Sequence, residues 1–155
     1  MTGGSALLPE ELRDLLTSKV MAHITSIDDH GAPLTHIVWV DTEGDLLLVT
    51  SPKGSAKGRN LRARPQVALA VHDPRDPERW LSIQGEVIAI RDDEGLAFIN
   101  RLSHRYLGIP YYRFAERDIF VIRPIRVRFS LGPSQAQLEG FRKAGIKRQL
   151  VDGTS

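Results

Sequence analysis

Cysteine is absent from this 155-residue chain, which excludes disulfides, thiolate zinc sites, iron–sulfur ligation and a cysteine nucleophile. Long apolar runs are missing too. Val67-Ala68-Leu69-Ala70-Val71 is about the best available, far short of the roughly 18 residues of a membrane span. The N-terminus lacks the basic start and apolar centre of a signal peptide, so a soluble, cytoplasmic protein with no membrane partner is expected. Neither Gly-x-Gly-x-x-Gly nor Gly-x-x-x-x-Gly-Lys occurs, which leaves a Rossmann fold and a P-loop unsupported. His23, His30, His36, His72 and His104 form no HExxH or HxH pair, so no metal site is expected. No nucleophile elbow or catalytic triad signature is present.

A further absence is local. From Leu46 to His72 there is no Asp or Glu, while Lys53, Lys57, Arg59, Arg62 and Arg64 all fall inside, on a chain whose net charge is only +2. Such a stretch reads either as a solvated basic face or as a place for an anion. It contains no aromatic between Lys53 and Arg64, which argues against single-stranded nucleic acid as the partner.

What is present fits one domain. Apolar residues make up 41 % and charged residues 26 %, and the length can bury a self-sufficient core. Pro9, Glu10 and Glu11 followed by Leu12, Leu15 and Leu16 predict a short helix over 8–18. Six strands follow: from Val20 to Ile27, Leu34 to Val40, Leu46 to Thr50, Gln66 to His72, Trp80 to Arg91 and Ile119 to Phe129. Gly85 inside the fifth reads as a bulge or a point of close approach. A basic helix from Ala56 to Arg64 ends at Pro65, and a second one, capped by Asp92 or Asp93, puts Leu96, Ile99, Leu102 and Tyr106 on one face. The short turns make the strands mostly antiparallel, so the expected architecture is a mainly β, barrel-like domain over residues 1–132. The polar, basic remainder, 133–155, reads as a tail or as a helix that needs a partner.

Thr50-Ser51-Pro52-Lys53-Gly54-Ser55-Ala56-Lys57-Gly58-Arg59-Asn60-Leu61 carries the most chemistry. Ser55 can cap a helix whose first amides, at Ala56 and Lys57, are unpaired and sit at the positive end of the dipole. A lysine in that first turn opposes the dipole, and an anion placed between them relieves the conflict. A plain cap beside a solvated lysine is the other reading. His23 and His36 lie on paired strands as core or interface residues. Trp39, Trp80, Tyr111 and Tyr112 are the aromatics that matter most, as barrel and dimer packing or, for Trp80 beside a loop, as a ligand contact.

The ordered set Ala22-x-x-Thr25, Asp29-x-Gly31-x-Pro33, Trp39-Val40-Asp41, Leu48-x-Thr50, Ser55-x-Lys57-x-Arg59-Asn60-Leu61, Pro65-x-Val67-Ala68-Leu69 and Trp80-Leu81-Ser82-Ile83-x-Gly85 resembles the pyridoxamine 5′-phosphate oxidase-like split-barrel family. It resembles especially the branch that uses the deazaflavin coenzyme F-420, over about Leu8 to Gly132. The resemblance implies a six-stranded antiparallel split β-barrel of the FMN-binding type, a homodimer with cofactor sites between its subunits, and hydride transfer between F-420 and a small organic substrate.

By the same resemblance Ser55, Lys57 and Asn60, with the amide of Ala56, would hold the cofactor phosphate or tail. Thr50 and Ser51 would approach the ring or its side chain, and Trp80 would reach the site from a partner subunit. His36, Trp39, Tyr111 and Tyr112 would line the substrate pocket. No side chain is required as a nucleophile, because the cofactor brings the reactivity. Many relatives carry arginine where this chain has Ser55; either Lys53 or Arg59 supplies the lost charge, or affinity for the polyanionic tail is reduced. Lys53, Arg59, Arg62 and Arg64 would form a track for the anionic F-420 tail. FMN on the same scaffold is the alternative cofactor, and a non-enzymatic flavin or haem carrier is the alternative function.

Overall fold

The computed structural model describes residues 7–145. Leu12 closes a short 3-10 turn, Glu10–Leu12, that runs on into α1 (Asp14–Thr17), so the expected 8–18 helix is split into two short turns. Seven strands follow: β1 (Ala22–Ile27), β2 (Pro33–Val38), β3 (Val40–Glu43), β4 (Leu46–Pro52), β5 (Gln66–Asp73), β6 (Asp76–Asp92) and β7 (Arg117–Leu131). Between them lie α2 (Ala56–Ala63) and α3 (Ala97–Leu107), and α4 (Gln135–Lys143) comes last. Within the expected 133–155 tail, the part up to Gly145 therefore contains a helix, with Ser134 and Gln137 forming a capping box; the rest of the tail lies outside the described residues.

All pairings are antiparallel, in the order β2-β1-β5-β6-β7-β4-β3. The expected single strand over Leu34 to Val40 is in fact two, which raises the count from six to seven. The reason is topological. β2 pairs with β1 at one edge of the sheet and β3 pairs with β4 at the opposite edge, with Trp39 alone between them. One residue can join opposite edges only if the sheet curls until they meet, which makes the sheet a split barrel.

Alternation along the strands fills the inside. Val67, Leu69 and Val71 of β5 and Leu81 and Ile83 of β6 point inward and are buried, while Ala68, Ala70 and His72 face out. Leu12, Leu15 and Leu16 join Ile24, Val49, Phe120 and Ile122 in the same core. Each such side chain contributes about 1.5–3 kcal/mol by leaving water. At Gly85 the register shifts, and a Cβ there would stand 2.7 Å from the Arg123 carbonyl oxygen, so glycine is required by close approach as the sequence predicts.

A second cluster, Leu48, Phe98, Leu102, Tyr106 and Val121, docks α3 on the outer face of β4 and β7. Asp93, rather than Asp92, starts this helix: its carboxylate accepts from the amides of Phe98 (2.8 Å) and Ile99 (3.0 Å). Buried Asp41 on β3 then binds Arg101 at 3.1 Å and Arg105 at 3.2 Å. That fastening sets Tyr106 directly behind Trp39, the rings stacked with centroids 5.1 Å apart and planes 8° from parallel. The Tyr106 hydroxyl donates to the Val20 carbonyl (2.6 Å) and accepts from the Val40 amide (3.3 Å), so one side chain ties down both sides of the barrel seam. Among the described residues no helix is long and apolar enough to cross a membrane.

Candidate functional site: a cationic cavity at the barrel seam

At this seam opens a cavity of about 330 Å³. One wall is Ile37, Val38 and Trp39, with Met21 and Ile99 adjoining. Thr50, Pro52 and Lys57 come from the end of β4 and the first turn of α2. Tyr111, Tyr112, Arg113 and Arg117 come from the irregular segment after α3 and the first residue of β7. Apolar and aromatic surface thus faces a set of cations, and among the described residues no carboxylate lines the cavity.

Local structure explains how the cations are held. Ser55 caps α2, its Oγ accepting from the Gly58 amide at 3.1 Å, and the turn that follows aims Lys57 back at β4. Lys57 Nζ donates to the Thr50 carbonyl at 3.2 Å. Arg117 lies on the other side of Thr50: its Nε donates to Thr50 Oγ1 and one terminal nitrogen to the Tyr111 hydroxyl, both at 3.0 Å. Tyr111 is itself anchored, its amide donating to Asn100 Oδ1 of α3 at 3.0 Å. Two cations thus flank one threonine, and their partners are hydroxyls and a carbonyl.

The energetic consequence is visible in their titration. Burial, helped by the neighbouring Arg117 charge, pushes the Lys57 ammonium down to about 8. Burial also lowers Arg117 from its ordinary value, partly offset by Tyr111 and Asp93. The His36 imidazole is likewise held below its ordinary range, first by burial and then by the Lys57 charge, and its Nδ1 is buried without a partner. Burying like charges whose hydrogen-bond partners are all neutral is unfavourable, and an anion between them would relieve that cost.

The residues singled out in the sequence separate into groups. Thr50, Lys57, Trp39, Tyr111 and Tyr112 come together around the cavity. Ser51 and Ser55 bond each other through their hydroxyls below it, and Ser51 is buried. Ala56 and Asn60 line a different depression, with Arg59, Arg64, Asp28 and Asp29. His36 stands near Lys57 but outside the lining, and Trp80 belongs to a third depression with His23 and His72 on the outer face of the sheet.

The basic track requires correction. Lys53 pairs with Asp92 at 2.6 Å and Asp118 at 3.6 Å, and Arg62 pairs with Asp118 at 2.6 Å. Arg59 donates to the Gly54 carbonyl at 2.5 Å and Arg64 to the Ile27 carbonyl at 2.7 Å. The acid-free stretch thus recruits acids from β6 and β7 for Lys53 and Arg62, whereas Arg59 and Arg64 have carbonyl partners that leave their charge in place. Conversely, sequence reasoning missed Arg113 and Arg117. Arg113 sits in an irregular segment and Arg117 at a strand start, where no periodicity or motif marks them.

Residues 8–131 match the model of the pyridoxamine 5′-phosphate oxidase family. The chain belongs to this family. A solved structure named F420 reductase is 33 % identical, the match covering 78 % of this chain and 98 % of that one with a TM-score of 0.71. Two more distant structures share the family's fold, each 21 % identical. A conserved hypothetical protein of Mycobacterium tuberculosis matches over 97 % of this chain and 95 % of its own (TM-score 0.66). A heme binding protein of Mycobacterium smegmatis matches over 84 % and 57 % (TM-score 0.59). No curated protein matches the chain. Within the family frame, the seam cavity is where this chain concentrates unpaired positive charge next to flat aromatic surface.

Proposed function

We propose that the protein is a cytoplasmic oxidoreductase that holds coenzyme F-420, or alternatively FMN, in the seam cavity and transfers hydride between it and a small organic substrate. The observation that carries this is the Lys57–Arg117 pair around Thr50, half-buried and buried, with no carboxylate in the lining. The donor set suits a phosphate: an ammonium and a guanidinium on either side of Thr50. Trp39, backed by Tyr106, offers a rigid flat wall for a ring. The F420 reductase, at 33 % identity, favours the deazaflavin over FMN.

When bound, either cofactor supplies the hydride from its own ring. The chain's part is to bind and orient. Lys57 and Arg117 would hold the phosphate, Trp39 would offer its ring a flat surface, and Val38 and Ile99 add apolar lining beside it. Trp80, 37 % exposed on the outer sheet face and away from the cavity, fits a contact made from a second copy of the chain. Ile37, Ile125, Phe129 and Leu131 give the sheet further exposed apolar surface suited to such a homodimer.

Fluorescence titration of the purified protein with F-420, FMN and haem, followed by turnover assays with whichever binds, tests this reading. Saturable binding of F-420 or FMN that weakens in Lys57→Ala is expected. Haem binding alone, or flavin binding without reduction of any acceptor, makes the protein a carrier. Light scattering at micromolar concentration tests the dimer: a monodisperse monomer that still binds cofactor removes it.

A further inference from the structure

The seam cavity carries one more cation than a phosphate needs. Lys57 and Arg117 converge on Thr50, whereas Arg113 lies on the irregular segment, its guanidinium 5.4 Å from the centre of the Tyr112 ring. Tyr111 and Tyr112 form a tilted pair, centroids 5.7 Å apart and planes at 43°. Arg113 is exposed, has no acid partner among the described ion pairs, and lines the same acid-free cavity. An arginine stacked on a tyrosine at a cavity rim presents its remaining N–H groups to a planar anion such as a carboxylate.

We infer that the cavity accepts two anions, and that the second is the carboxylate of a planar, aromatic or conjugated acid, bound by Arg113 and Tyr112: the substrate class of this site. This rests on the reading of Lys57 and Arg117 as the partners of the cofactor phosphate. It makes the Tyr111–Arg113 segment the specificity element and divides the cationic lining by task.

The test uses 2-naphthoate and its neutral isostere 2-naphthamide as probes. Binding is read from quenching of Trp39 in a Trp80→Phe background, with and without saturating F-420 or FMN. The expected result is that the acid binds at least about ten-fold more tightly than the amide. The preference should fall to about two-fold or less in Arg113→Gln, which lies on an exposed segment and leaves the core untouched, and it should survive in Lys57→Ala. Equal binding of acid and amide overturns the inference. So does a preference that disappears in Lys57→Ala and persists in Arg113→Gln, since the acid then occupies the phosphate position. A third overturning result is that Arg113→Gln weakens F-420 more than about ten-fold while leaving FMN unchanged, which assigns Arg113 to the cofactor tail. Failure of both cofactors to bind, with the Arg113-dependent acid preference intact, removes the proposed cofactor and leaves the acid site standing.

Discussion

Two sets of cations lie close together in this molecule and have opposite status. Lys53, Arg59, Arg62 and Arg64 crowd one segment of the sequence, yet Lys53 and Arg62 are spoken for by Asp92 and Asp118, while Arg59 and Arg64 bond carbonyls away from the cavity. Lys57, Arg113 and Arg117 are spread over some sixty residues of sequence, yet they meet in one cavity whose described lining contains no acid. Charge density along a chain therefore says little about charge available for binding. What marks the site is the pair Lys57 and Arg117, drawn out of water on either side of Thr50 with hydrogen bonds only to hydroxyls and a carbonyl.

The sharpest way to break this comparison is to ask what each cation does for stability. Lys57 is depressed to about 8 in the folded protein against its ordinary 10.5, so the unfolded state binds more protons between those values. Stability contributed by this site therefore rises as pH climbs from 8 to 10.5, and the full penalty applies below 8. Lys57→Met is expected to stabilise the ligand-free protein at pH 7 by about 1–3 kcal/mol, less than the whole shift because solvent screens the half-buried ammonium. Urea or thermal unfolding reads this directly. A destabilised Lys57→Met would mean that the lysine is a structural strut and no longer distinct from Arg62.

The effect on affinity is of the same size. Lys57→Ala is expected to weaken the cofactor by about 1.5–3 kcal/mol, roughly 10- to 150-fold, while Arg62→Ala, already spoken for by Asp118, changes it about two-fold or less. Titration of the two variants side by side would sharpen or erase the difference. A smaller effect follows from pH. Because the lysine must be protonated to meet a phosphate, affinity should hold below pH 8 and fall by up to about ten-fold per unit above it. That slope should vanish in Lys57→Met. A slope that persists there would point to another titrating group.

Much of this was legible in the residues, and the illegible part has a common cause. Alternation in β5 and β6, the cap at Ser55, the stop at Pro65 and the need for glycine at position 85 are local, and the sequence predicts them. The division of the Leu34–Val40 run is not local. Its β-branched pattern continues unbroken through Trp39, and only the pairing of β2 and β3 at opposite sheet edges separates them. Asp118 pairs with Lys53 and Arg62 from 56 to 65 residues further along, and Arg117 reaches Thr50 across 67, so neither pairing leaves a mark on its own segment. Lys57 was visible because it sits against a helix dipole. Arg113 was not, because an arginine in an irregular loop has no pattern to violate.

Trp39 has a consequence for how the protein opens. The residue that joins the two edges of the sheet is also a wall of the cavity, so a ligand against its indole braces the hinge of the barrel itself. Local unfolding at this seam must break the Val40 amide bond to Tyr106 and expel whatever lies on Trp39 in the same event. Amide exchange at Val40 is thus a clock for ligand departure: occupancy slows it, and the seam parts no faster than the cavity empties.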